Sequence, residues 1–269
     1  MGSRLSENLR REKAPALFTV LAALGAAFFI VPLVGLIVRT PWGDAGRALT
    51  SPDTLEALRL SLIASLSATA LALVLGVPLA WLYARADFPG RSVLRALTTL
   101  PMVLPPVVGG IALLLAFGRR GLLGAWLYAT FGISFPFTTA GVVMAETFVA
   151  MPFLILTVEA GLRSMDRRYE DAARTLGAKR WTIFMRVTMP MIAPSLIAGA
   201  VLCWARALGE FGATITFAGN FPGVTQTMPL AVYLLLETNP ESSFILSLVL
   251  LFISLAVLVG LRHRWLGSA

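Results

Sequence analysis

Long apolar runs separated by short basic segments set the pattern of this chain. A helix needs about 20 apolar residues to cross the hydrocarbon core of a bilayer. Six runs approach that length: residues 14–38, 58–83, 97–117, 137–162, 189–211 and 244–261. They predict an all-α integral membrane protein with six transmembrane helices. The first run follows Arg10, Arg11 and Lys13, as the core of a signal peptide would. It is far longer than the roughly 7–15 residues of such a core, and no small-residue cleavage site ends it. It is therefore read as an uncleaved span.

Two segments break the regularity. Pro101, Pro105, Pro106, Gly109 and Gly110 crowd the third run. Proline lacks a backbone donor and clashes with the preceding turn, so this helix is expected to be kinked or partly unwound. In lipid the freed carbonyls need partners, so the break should face protein or a water-filled path, or else be a plain packing kink. The segment 214–237 is too polar and too rich in Gly and Pro for a span. Gly219, Asn220, Pro222 and Gly223 predict a turn, and 228–236 is apolar again. The expectation is an outer loop with room for a short re-entrant helix. No internal repeat or appended soluble domain is visible, so residues 1–269 read as one transmembrane domain.

Composition agrees. The chain is 57% hydrophobic and 13% charged, with mean hydropathy +0.81. Soluble domains carry about 25% charged residues. Cys203 is the sole cysteine, which excludes an intrachain disulfide and suits a small buried hydrophobe. The sole histidine, His263, leaves no histidine-based metal or nucleophile site. No Gly-x-x-x-x-Gly-Lys-Ser/Thr loop is present, so energy for any pumping must come from a partner.

Cationic residues orient the spans, because Lys and Arg favour the cytoplasmic side. With both termini cytoplasmic, sixteen of the 22 cations fall inside: four in the tail 1–13, Arg85, Arg91 and Arg95 in one loop, seven in the loop 163–187, and Arg262 and Arg264. Five fall outside, and Arg206 lies within a span. This asymmetry accounts for the net charge of +8 without nucleic acid as a partner.

The loop 163–187 is patterned as well as basic. Asp166 suits a helix N-cap, and Glu170 and Asp171 sit in the first turns, where the helix dipole favours anions. Tyr169, Ala172, Ala173 and Leu176 make one apolar stripe, and Gly177 stands where a helix would end in a left-handed residue. A short amphipathic helix of this kind could lie on lipid headgroups or dock in a groove on a protein. The small Ala172 and Ala173 suit a close protein contact.

Asp171-Ala172-Ala173, three residues, Gly177, nine residues, Val187, one residue, Met189-Pro190 resembles the loop motif of ABC importer permeases. That motif reads Glu-Ala-Ala, three residues, Gly, nine residues, Ile, one residue, Leu-Pro. Asp171, Val187 and Met189 depart from it conservatively. The resemblance implies a type I ABC importer permease fold. It also implies a coupling helix over about 166–179, with Asp166, Tyr169, Glu170, Asp171, Ala172, Ala173, Leu176 and Gly177 facing an ATP-binding subunit.

Ala205-Arg206-Ala207-Leu208-Gly209-Glu210-Phe211-Gly212-Ala213-Thr214 resembles the fifth helix of oxyanion importers for molybdate, tungstate and sulfate. The continuation through Gly219-Asn220, Pro222-Gly223, Thr225-Gln226-Thr227 and Pro229-Leu230-Ala231, with the stretch 100–108, resembles the molybdate/tungstate branch. The resemblance covers about residues 55–262. It implies a homodimer in a bacterial or archaeal plasma membrane, served by two ATP-binding subunits and an extracytoplasmic oxyanion-binding protein. ATP and Mg would sit on the partner subunits, with no cofactor on this chain. A sulfate or thiosulfate importer and an ion-coupled secondary transporter remain as alternatives.

Glu146, Arg206 and Glu210 lie within or near the ends of spans, where a charge costs about 2.5–3.5 kcal/mol. They form either a structural ion pair or part of the translocation path or its gate. Thr98, Thr99 and Thr214 offer hydroxyls to a wet path, or bond to their own helices. Phe211, beside Gly209 and Gly212, is a candidate plug or a packing residue. Binding of the anion by this chain alone is expected to be weak, since a tight site midway would slow release.

Overall fold

The computed structural model describes residues 15–265, with side chains described through residue 260. The tail 1–13, with Arg4, Arg10, Arg11 and Lys13, lies outside the described residues, as do the side chains of Arg262, His263 and Arg264. The chain divides into two units after Pro41. The first holds α1, Ala16–Arg39, apolar along its length with Pro32 inside. Its 24 residues reach about 36 Å, enough to cross a bilayer.

In the second unit every regular element among the described residues is helical. These are α2 (Ala45–Thr50), α3 (Pro52–Arg85), α4 (Arg91–Thr99), α5 (Pro106–Phe117), α6 (Gly124–Phe131) and α7 (Thr139–Ser164). Then come α8 (Arg168–Thr175), α9 (Arg180–Ile183), α10 (Met189–Met191), α11 (Ala193–Leu208), α12 (Gly212–Phe217), α13 (Met228–Thr238) and α14 (Pro240–Trp265).

The core is α3 against α7 and α11. Ser51 starts α3 by accepting the Thr54 amide, and Pro52 takes the first turn, where its missing donor costs nothing. Ala64, Ala68, Ala72, Gly76 and Ala80 recur every fourth residue and are buried. Small residues let helix backbones approach closely in a membrane protein. A Cβ on Gly76 would stand 3.0 Å from Leu154 Cδ2 of α7, and one on Gly161 would stand 2.5 Å from Ser195 Cβ of α11. Leu154, Ile155, Val158 and Leu162 fill the seam with Tyr83, Ile192 and Ala207. Cys203 lies in the same cluster, fully buried and unpaired, as its apolar run suggests.

Four helices, α1, α3, α7 and α14, are long and apolar enough to cross a membrane. The third and fifth runs are bent pairs instead of straight spans. In the third, α4 continues as a 3-10 turn to Met102, and α5 leaves at 118° to it. The bend is sharper than the expected kink. Pro105 and Pro106 remove consecutive donors, and a residue before proline avoids the helical region. Residues 97–99 therefore belong to α4 and 100–102 to the 3-10 turn that extends it, and α5, with 12 residues, is only about 18 Å long.

The fifth run turns by 73° at Ile192. Before the bend, Phe184–Thr188 is a π-turn, in which the Met189 amide reaches back to the Phe184 carbonyl. Pro190 cannot donate, and its ring crowds the Arg186 carbonyl, so a widened turn relieves both. The span expected at 189–211 thus begins as a straight helix only at Ala193 and ends at Leu208.

The segment 214–237 is built as α12 and α13 around an exposed turn at residues 221–224, and α13 is the short apolar helix for which the sequence left room. Helix α12 packs on α5, where a Cβ on Gly110 would stand 2.7 Å from Thr216 Cβ and 2.8 Å from the Ala213 carbonyl. A turn follows in which the amides of Val224, Thr225 and Gln226 share the Phe221 carbonyl, with Gly223 at φ 74°. Thr225, Gln226, Thr227 and Met228 are buried. The Met228 amide donates to Ser61 Oγ of α3 at 2.7 Å, and Thr139 Oγ1 of α7 donates to the Val224 carbonyl at 2.9 Å. The polar residues that argued against a span are instead folded inward.

Candidate functional site

Helix α8 is set by local chemistry at both ends. Asp166 Oδ1 accepts the Arg168 amide at 2.9 Å, so the carboxylate caps the entry from two residues ahead. At the exit Gly177 takes φ 78°, its amide bonds to the Arg174 carbonyl, and the Ala178 amide bonds to Ala173. That pair of bonds is a Schellman closure, which a left-handed glycine permits.

The helix has two faces. Tyr169, Ala172 and Leu176 point away from the chain, at 57% exposure for Tyr169 and 87% for Leu176; Ala173 is half-buried. Glu170 turns the other way and is buried. It accepts Thr188 Oγ1 at 2.8 Å and meets Arg85 at 3.4 Å. The sequence places Glu170 on the docking face; the structure makes it the pin that holds α8 to the end of α3 and to the π-turn. Asp171 is exposed and pairs with Arg174 at 2.6 Å.

The same end of the molecule carries an arginine cluster. The Tyr83 carbonyl, in the last turn of α3, accepts from Arg91 and Arg163, and the Ala84 carbonyl accepts from Arg167 at 3.2 Å. Cations belong at this end of a helix, where the carbonyl dipoles converge. Glu159, also buried, lies between Arg95 at 3.1 Å and Arg163 at 2.8 Å. Sequence reasoning missed Glu159, Arg85 and Thr188. A carboxylate inside an apolar run was the available signal for Glu159; nothing in the pattern marked the other two. Thr98 Oγ1 donates to the Arg95 carbonyl at 3.0 Å and accepts from the Tyr83 hydroxyl at 3.0 Å, and Thr99 donates to the same carbonyl at 2.9 Å.

A second polar group lies around the α11–α12 break. Arg206 pairs with Glu210 at 2.6 Å, and Glu210 Oε1 accepts the Ala213 amide at 2.7 Å, which caps α12. Glu146 of α7 is buried within electrostatic reach of Glu210, and its Oε2 has no hydrogen-bond partner. Thr214 is fully buried with its hydroxyl unpartnered. Phe211 is half-buried, with its ring 5.2 Å from that of Tyr233. The structure therefore brings Arg206, Glu210, Phe211 and Thr214 together at one break, beside Glu146, and leaves Thr98 and Thr99 on α4.

The family profile described as "Binding-protein-dependent transport system inner membrane component" matches residues 72–268. A "Molybdenum transport system permease protein ModB" of Mycobacterium tuberculosis is 46% identical over 245 residues, 90% of this chain and 92% of that protein. Its namesake in Escherichia coli K12 is 44% identical over 219 residues, 81% of this chain and 95% of that one. The "Sulfate transport system permease protein CysT" of the same organism is 36% identical over 226 residues, 82% of this chain and 81% of its own length. Among solved structures, a bacterial ABC transporter "involved in the import of the acidic polysaccharide alginate" matches with TM-score 0.70 at 18% identity, over 92% of this chain and 93% of that one. The methionine ABC transporter MetNI matches with TM-score 0.53 at 16% identity, over 80% and 99%.

Spans, bent pairs and relatives together identify an ABC importer permease, a multi-pass membrane protein. The chain belongs to the family of binding-protein-dependent transport system inner membrane components.

Proposed function

We propose that this chain is the permease of an importer that carries molybdate or tungstate into the cytoplasm. The observation that carries this reading is identity to two molybdenum permeases, 46% and 44%, against 36% to a sulfate permease. The lower figure keeps sulfate as the second reading. ATP would be bound, with Mg, by separate subunits.

The exposed stripe of Tyr169, Ala172 and Leu176 is the surface proposed to meet those subunits, and Glu170 is the strut behind it. A partner pulling on α8 would move α3 through Arg85 and the π-turn through Thr188. The π-turn leads through α10 into α11, and α11 ends at Arg206 and Glu210. That continuous route supports a gate at the break between α11 and α12, with Phe211 and Thr214 beside it and Glu146 opposite. Thr98 and Thr99 are weaker candidates for the path, because their hydroxyls are spent on neighbouring groups. Two copies of the chain, two ATP-binding subunits and one extracytoplasmic binding protein would complete the machine.

The test is ATP-dependent uptake of labelled molybdate into vesicles holding this chain, its ATPase and its binding protein, with unlabelled tungstate, sulfate and phosphate as competitors. Competition by tungstate alone is expected. Equal competition by sulfate would move the chain to the sulfate-type group.

A further inference from the structure

We propose that the cleft behind α8 binds a phosphate-type oxyanion, either the headgroup of an anionic lipid or a free anion. The cleft measures about 780 Å³ and is lined by Arg85, Arg167, Arg174 and Arg180 against two carboxylates, Glu170 and Asp171. It lies on the face of α8 opposite the Tyr169–Leu176 stripe, since Arg167, Glu170, Asp171 and Arg174 follow a helical repeat of three and four.

The charges do not balance. Four guanidinium groups face two carboxylates, which leaves two positive charges without a counter-charge in the cleft. Both carboxylates are already engaged, Glu170 by Thr188 and Arg85, and Asp171 by Arg174. Arg180 is exposed, and its guanidinium has no hydrogen-bond or ion-pair partner among the described residues. Arg85 is a second, independent pointer. Its side chain is 7% exposed, yet its buried Nε has no acceptor. A buried charged donor left without an acceptor is costly, and a tetrahedral oxyanion presents several oxygens to guanidinium forks at once.

Trp81 also lines the cleft at 39% exposure, and tryptophan favours the membrane–water boundary. That level is open to a lipid phosphate in the plane of the headgroups and to an anion from solution. Either source supplies the same chemistry. An anion there would bridge the end of α3 through Arg85, the entry to α8 through Arg167, α8 itself through Arg174, and the start of α9 through Arg180. It would fix α8 against the membrane part while leaving the outer stripe free. The mechanical consequence rests on α8 being the coupling helix; the binding itself does not.

The experiment uses the full chain in nanodiscs. In zwitterionic lipid, inorganic phosphate is titrated by calorimetry. In parallel, native mass spectrometry counts phosphatidylglycerol retained from mixed nanodiscs. The variants are Arg180→Gln and the double variant R174Q/R180Q, both at exposed side chains whose loss is expected to leave the fold intact. Saturable binding of one probe, weakened at least about tenfold in the double variant, is expected. Phosphate binding lost in the variants identifies a free anion; phosphatidylglycerol retention lost in them, without phosphate binding, identifies the headgroup. No binding of either probe, or binding unchanged in both variants, overturns the site. In the assembled importer, anion binding that leaves ATP hydrolysis and its coupling to uptake unchanged overturns only the mechanical role.

Discussion

The two ends of α7 treat a buried carboxylate in opposite ways. Glu159 and Glu146 are each 1% exposed. Glu159 is clasped by Arg95 and Arg163, while Glu146 keeps an oxygen without a partner and faces another carboxylate, Glu210, across the packing. Glu170, at the same end as Glu159, is also satisfied on two sides. A buried charge with partners from other helices locks those helices in register. Glu146, whose Oε2 has no hydrogen-bond partner, supplies no such brace. The arginine-rich end is braced by ion pairs between separate elements, whereas at the α11–α12 break Glu210 pairs within its own segment with Arg206 and Glu146 keeps an unpartnered oxygen.

Glu170→Ala is the substitution expected to cost most. It leaves Arg85 buried without its carboxylate, a loss of about 3–5 kcal/mol. Thermal unfolding of the purified chain should show it; a change below about 1 kcal/mol would mean that α8 is not pinned by Glu170.

Gly110→Ala comes next. The added methyl would meet Thr216 and the Ala213 carbonyl, so α5 and α12 must part, at about 1–3 kcal/mol. Unchanged stability would show that the packing at the break is looser than the backbones imply.

Glu146→Gln should fall within about 1 kcal/mol of the natural chain, because no protein hydrogen bond to Oε2 is lost. If it destabilised as much as Glu170→Ala, the contrast between the two ends would collapse.

Ala172→Glu should change stability least, within about 0.5 kcal/mol, since the residue is exposed. Its effect belongs to coupling: ATP hydrolysis should persist while uptake is lost. Normal uptake would remove the stripe from the docking face. Ala173→Glu should add a stability cost, because that position is half-buried.

Much of this was legible in residue order. The runs at 58–83 and 137–162 became α3 and α7 with small shifts at their ends. Gly177 ended α8 as a left-handed residue, and of the four stripe residues Tyr169, Ala172 and Leu176 are exposed while Ala173 is half-buried. The prolines located the bend in the third run. Its size, 118°, was not legible, because it depends on where α12 packs on α5. The burial of 225–228 was hidden for a similar reason: its amide and carbonyl partners, Ser61 and Thr139, lie on distant helices.

By itself, the sequence determined the helical class, the long apolar spans, the charge asymmetry and the loop helix, because each depends on composition or on neighbours within a few turns. Tertiary structure decided which charges became struts. Glu170 lies on the same short helix as the exposed stripe, yet its place was fixed by Arg85 and Thr188, far away in the chain. Ion pairing and desolvation depend on distances of a few ångströms across the fold, and those distances exist only once the helices have packed.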